Sequence, residues 1–174
     1  SPAITYDANI ISFDFKAASD SVEFNFVFAS EEYNEWVNSP YNDVFAFYVT
    51  GPGFTDNTNV ALIPGTSVPI AINTVNNGGP YTGISSGPCN NCSYYVDNVA
   101  PGSGVNPVLI SYDGLTTVIK IKFAVWPCSD YHFKIAIADV SDGVYDSAVL
   151  LEENTFVACP QIQVTNNGMV APTT

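Results

Sequence analysis

Val118-Ile119-Lys120-Ile121-Lys122-Phe123-Ala124-Val125 is the stretch that decides the fold class. Ile119, Ile121, Phe123 and Val125 alternate with Lys120 and Lys122, so an extended chain places the apolar set on one face and the charges on the other. A helix would scatter the same residues around its circumference. The period of two recurs in Val22-Glu23-Phe24-Asn25-Phe26-Val27-Phe28, where Val22, Phe24, Phe26 and Phe28 share a face. It returns in 44–50 through Phe45, Phe47 and Val49, and again in Phe133, Ile135 and Ile137. A shorter apolar run covers 148–151, and weaker strand candidates lie at 10–15, 60–63, 68–72, 108–112 and 161–165.

Turn-forming residues separate these runs: Gly51-Pro52-Gly53, Asn76-Asn77-Gly78-Gly79-Pro80, Pro101-Gly102-Ser103-Gly104, Asp113-Gly114 and Asp142-Gly143. Asp113-Gly114 between apolar runs reads as a hairpin turn. Helical potential is confined to a turn or two over 31–37, with Ser30 as its cap. About ten strands without long helices predict an all-β fold, an antiparallel β-sandwich of jelly-roll-like form with long loops. The stretch 73–107 is rich in Gly, Asn and Ser, and a connection of that length in a compact domain is usually functional. With no repeat, second core or linker, residues 1–174 are expected to form a single domain.

The chain has 174 residues, 47% of them hydrophobic, with two Trp, ten Tyr and eleven Phe, enough for a sizeable core. No apolar run is long enough to span a membrane as a helix. The opening Ser1-Pro2-Ala3 reads as a mature or excised start, with any targeting segment already removed. Seventeen Asp and Glu face four Lys and no Arg, for a net charge of −13. Nucleic acids and anionic membranes both need Lys or Arg that are missing here. A single His, His132, makes Ser-His-Asp triads and multi-His zinc sites poor readings. Such a surface does attract cations, above all calcium, which takes several oxygen ligands; the plainer alternative is that excess acid keeps an extracellular protein soluble.

Four cysteines, Cys89, Cys92, Cys128 and Cys159, suit two disulfides in an oxidising compartment. Cys89–Cys92 would close its loop on itself, and Cys128–Cys159 would pin the C-terminal segment, although three connectivities are open. Zinc is the weaker reading, since Cys128 and Cys159 form no second C-x-x-C pair.

Two acidic segments stand out. Ser30-Glu31-Glu32-Tyr33-Asn34-Glu35-Trp36 and then Tyr41-Asn42-Asp43 join two strands, and crowded carboxylates there repel unless water or a cation separates them. Ala138-Asp139-Val140-Ser141-Asp142-Gly143-Val144-Tyr145-Asp146-Ser147 follows another strand. Glu31, Glu32, Asp43, Asp139, Asp142 and Asp146 are therefore the candidate calcium ligands. The spacing is not that of an EF-hand, and Asp, Asn and Gly also make turns with no ion. Loop-borne Trp36, Tyr41, Tyr94 and Tyr95 are candidates for stacking on a glycan, weighed against their closing the ends of the sandwich. No carboxylate pair is marked out as that of a glycosidase. Lys134 has no identifiable partner for an internal isopeptide cross-link.

Taken in order, several blocks resemble the choice-of-anchor L domain of bacterial, Bacteroidota-type surface proteins. They include Phe28-Ala29-Ser30-Glu31-Glu32-Tyr33, Tyr41-Asn42-Asp43-Val44-Phe45-Ala46-Phe47-Tyr48-Val49 and Pro69-Ile70-Ala71-Ile72-Asn73-Thr74-Val75-Asn76. Tyr94-Tyr95-Val96-Asp97-Asn98, Tyr112-Asp113-Gly114-Leu115-Thr116, Tyr131-His132-Phe133-Lys134-Ile135 and Asp142-Gly143-Val144-Tyr145-Asp146-Ser147-Ala148-Val149 continue the likeness, which covers about 20–157. The resemblance implies an extracellular module, often exported by the type IX system and carried beside a separate sorting domain. No such domain is visible here, so a fragment or a non-covalently held subunit is expected.

The expected function is a non-enzymatic, secreted cell-surface adhesion or filament module, stabilised by disulfides and calcium. Its partners would be other copies, surface proteins or glycans. The rival is a carbohydrate-binding, lectin-like module of a secreted protein.

Overall fold

The computed structural model describes residues 4–79, 88–99, 110–141 and 143–158. Within them nine strands form two antiparallel sheets, and the only helical element is a single 3-10 turn, Cys92–Tyr94. In chain order the strands are β1 (Thr5–Lys16), β2 (Ser21–Ser30), β3 (Val44–Thr50), β4 (Thr58–Asn59), β5 (Tyr95–Asp97), β6 (Gly114–Thr116), β7 (Ile119–Ala124), β8 (Asp130–Val140) and β9 (Ser147–Leu151). One sheet runs β1-β8-β3-β4. The other is built on β2, which pairs with β7 along 21–26, with β9 along 26–30 and with β6 at 29–30; β5 joins β6.

The alternation read from the sequence is realised in β7, where Ile119, Ile121 and Phe123 are buried while Lys120 and Lys122 face water. Both lysines lie within ion-pair distance of Glu23 on the neighbouring strand, at 3.0 and 3.7 Å. The two sheets meet through aromatic rings. Phe24, Phe26 and Phe28 of β2 pack against Phe45 and Phe47 of β3 and Phe133 of β8, with centroids 4.7–5.6 Å apart and mostly edge-to-face. Burying one such ring contributes about 1.5–3 kcal/mol, and the pair geometry adds about 0.5–1.5 kcal/mol.

Several expectations shift in detail. Residues 31–37 form hydrogen-bonded turns, with one helical-type bond from the Trp36 N–H to the Glu32 carbonyl at 3.1 Å, and the Ser30 hydroxyl caps them by accepting from the Glu32 N–H at 3.0 Å. The candidates at 60–63 and 68–72 contribute isolated bridges, Leu62 to Pro69 and Val44 to Ala71. Residues 110–112 are not strand, and 108–109 and 161–165 fall outside the described residues. Asp113-Gly114 does not turn a hairpin. Gly114 is instead the first residue of β6, and it is a glycine because a Cβ there would stand 2.6 Å from Cβ and Cγ of Tyr33.

Candidate functional site

At one end of the sandwich the two acidic segments are tied to each other. The Glu31 N–H donates to the Asp146 carbonyl at 3.0 Å, and the Asp146 N–H donates to the Glu31 carboxylate at 3.3 Å. Asp43, 1% exposed at the start of β3, accepts from the Val140 N–H at 3.0 Å and from the Ser147 hydroxyl at 2.8 Å. The Ser141 hydroxyl donates to the Pro40 carbonyl at 3.2 Å. Asp43 therefore holds the end of β8 to the beginning of β9. An ionised carboxylate in this setting makes charge-assisted bonds, roughly twice as strong as neutral ones.

The six candidate ligands occupy different environments. Glu31 and Asp146 lie at the surface, Asp43 bridges segments, and Glu32 and Asp139 are buried. Asp142 lies outside the described residues. Among the described residues no group of three or more His, Cys, Asp or Glu is arranged to hold a metal ion.

A different set of carboxylates acts on Asp113 through its charge. β5 and β6 pair antiparallel, with Asp97 opposite Gly114, and the Asn98 N–H donates to the Asp113 carbonyl at 2.9 Å. The Asn98 amide also donates to the Ile110 and Tyr112 carbonyls, which fixes the 110–113 segment beside β5. Burial pushes the Asp113 carboxyl up to about 6, and the charges of Glu35, Glu31 and Asp97 push in the same direction. Tyr112 is raised by burial and then by Asp146 and Glu31, so this rim adjoins the stitched acidic segments. Glu35, Asp97 and Asp113 were not among the sequence-derived candidates. Three-residue strands such as β5 and β6 carry too little periodicity to reveal that Asp97 and Asp113 become neighbours.

Beneath the rim lies a tyrosine layer. The Tyr95 hydroxyl donates to the Asn34 side chain at 2.5 Å, and its ring packs on Tyr33 at 5.0 Å. Both phenols are raised, primarily by burial. The Tyr33 hydroxyl and one Glu35 carboxylate oxygen are buried without a hydrogen-bond partner among the described residues. Of the proposed stacking residues, Trp36 and Tyr41 meet edge-to-face at 4.9 Å, with Tyr145 at 6.5 Å from Trp36. Tyr94 packs partly buried against the core, and Tyr95 is engaged as described. Trp36 and Tyr41 are thus brought together, while Tyr94 and Tyr95 belong to the supporting layer.

Cys89 and Cys92 are joined in a disulfide with Cα atoms 5.7 Å apart. Cys128 is exposed and unpaired among the described residues, and Cys159 lies outside them. The Cys128 N–H donates to the Ala17 carbonyl, and the adjacent Ala18 N–H donates to the carbonyl of Ala158. Lys134 Nζ donates to the Asn57 side chain at 3.1 Å on the open surface, above the Tyr48 ring.

Two antiparallel sheets on an aromatic core, closed at one end by stitched acidic loops, define an all-β sandwich domain. No helix among the described residues is long and apolar enough to cross a membrane. The chain belongs to the Choice-of-anchor L domain family, which it matches over residues 2–157. Such domains occur in secreted, surface-associated proteins, and the family is not known for enzymatic activity. No curated protein and no solved structure matches the chain.

Proposed function

We propose that this domain is a non-enzymatic adhesion or assembly module of a secreted surface protein, and that its acidic end takes up calcium when it engages a partner. The observation that carries this reading is the rim around Asp113. Glu35, Glu31 and Asp97 lie on segments separate from that of Asp113, and their charges add to burial in raising its carboxyl. Solubility alone would be served by charges spread apart. A divalent ion among them would offset the repulsion, with calcium favoured by an all-oxygen environment. The groups do not converge on one point as they stand, so engaging an ion there requires their side chains to move. The stitched backbone beneath would then hold the loops rigid against a partner surface.

Calorimetric titration with calcium at neutral pH tests the ion. Saturable binding that weakens at least tenfold in Asp113→Asn supports it, and no heat above buffer overturns it. The lectin-like reading draws support from the Trp36–Tyr41 pair beside Tyr145. A glycan array with and without calcium separates the two: selective sugar binding lost in Trp36→Ala favours the lectin, whereas self-association without sugar binding favours assembly.

We also assign Cys128 and Cys159 to a second disulfide. The hydrogen bonds of Ala17 and Ala18 bring Cys128 and the residue preceding Cys159 to the same two-residue step of the chain.

A further inference from the structure

The sandwich is open along the side between β1 and β9. On β1, Ile11, Phe13 and Phe15 lie opposite Ile135, Phe133 and Tyr131 of β8 and share their inward face. Inward residues of a sandwich are expected to be buried, yet Ile11 is 58% and Phe13 38% exposed. Leu151 of β9 is paired with Phe26, faces inward with it, and is 51% exposed. An apolar groove runs along this side as two adjoining hollows. One of about 250 Å³ lies beside Ile11 and Val149, the other of about 150 Å³ beside Phe13 and Phe156, and Ile135 and Leu151 line both. Proteins blunt an exposed strand edge by shortening it or by placing lysine or proline on it. At the other outer strands β4 has two residues, β5 three, and β7 carries Lys120 and Lys122. β1 has twelve residues, and its stretch 9–13 holds neither charge nor proline; β9 holds none either. Among the described residues neither β1 nor β9 is paired on its outer edge.

We infer that this groove receives an extended segment of another protein, apolar at alternate residues and with Lys or Arg among the intervening ones. The unguarded edge selects an extended backbone, because a strand laid beside β1 satisfies its outward N–H and C=O groups. The hollows select the alternation. They flank Ile11 and Phe13, two residues apart on β1, and an extended occupant delivers every second side chain to one face at that spacing. Even the smaller hollow has room for a benzene-sized group. Charge selects the basic residues. Asp7 and Asp14 bracket 9–13, Asp146 and Glu152 bracket β9, and all four are exposed. The cationic groups at β1 are already engaged, Lys16 with Asp130 at 3.2 Å and His132 with Asp14 at 2.7 Å. A second copy fits less well, since each chain carries a net charge of −13 and would bring carboxylates to carboxylates.

Hydrogen–deuterium exchange on the full chain, with a short peptide alternating isoleucine and lysine as the probe, tests this. The peptide is expected to slow, at least tenfold, those amides of 9–13 that are not bonded to β8, and to leave β3 (44–50) unchanged. A peptide alternating isoleucine and glutamate is expected to protect at least tenfold less. Ile11→Glu and Leu151→Glu change exposed positions, so the chain should melt as the parent does while the protection is lost. Glu35→Gln, at the acidic end, is expected to keep it. Equal exchange with and without the lysine peptide would overturn the inference. Protection that survives Ile11→Glu and Leu151→Glu would overturn it too, by reducing the effect to general attraction of a basic peptide to an acidic protein. So would protection of 9–13 without peptide that disappears on dilution, together with an oligomer by sedimentation, because the groove would then belong to a second copy.

Discussion

Asp113 is a carboxyl whose folded-state value, about 6, lies above its ordinary 3.8. A group raised on folding adds stability while it is protonated and loses that contribution as pH rises through the folded value. The melting temperature is therefore expected to rise as pH falls from 7 toward 5, and Asp113→Asn should flatten that part of the profile. An unchanged slope in the variant would remove Asp113 as its source. Asp43 contributes through its hydrogen bonds, accepting from the Val140 N–H and the Ser147 hydroxyl. Asp43→Ala strands buried donors and should cost about 1–3 kcal/mol in denaturant unfolding. Gly114→Ala drives a methyl group into Tyr33 and should cost about 1–3 kcal/mol through overpacking. Comparable stability in that variant would mean that Tyr33 can move aside.

At the level of elements, what was legible in the sequence follows the physics of each strand. β2, β3, β7 and β8 are long, bury one face and alternate, so Phe24, Phe47, Ile121 and Phe133 announced themselves. β5 and β6 did not, since three residues set no period and the pairing depends on a connection of more than a dozen residues. The Asp113-Gly114 misreading has the same origin: local turn chemistry was outweighed by the approach of Tyr33, which no local window contains. Likewise the two acidic segments could be named from sequence, but not the cross-bonds from Asp43 to Val140 and Ser147 that join them. The proposed Cys128–Cys159 link also acts between elements. Mass spectrometry of the non-reduced chain should find two disulfides and no maleimide-reactive thiol; one equivalent of reactive Cys128 would rule the second out.

For the whole molecule, the proposed function divides between an aromatic interior and a charged end. Rings from both sheets interlock at 4.7–5.6 Å, which stiffens the interior. The loops at 31–43, 95–99, 110–114 and 139–147 place carboxylates and the Trp36–Tyr41 pair on that platform. Under that proposal a surface protein gains from the division, because the acidic end can hold repelling charges while the core carries the stability. The reading stands or falls on whether the crowded carboxylates recruit a cation. Thermal melting at pH 7 in chelator and then in millimolar calcium tests it most directly. The account predicts a rise of several degrees that is lost in Asp113→Asn; identical melting in both solutions would contradict it.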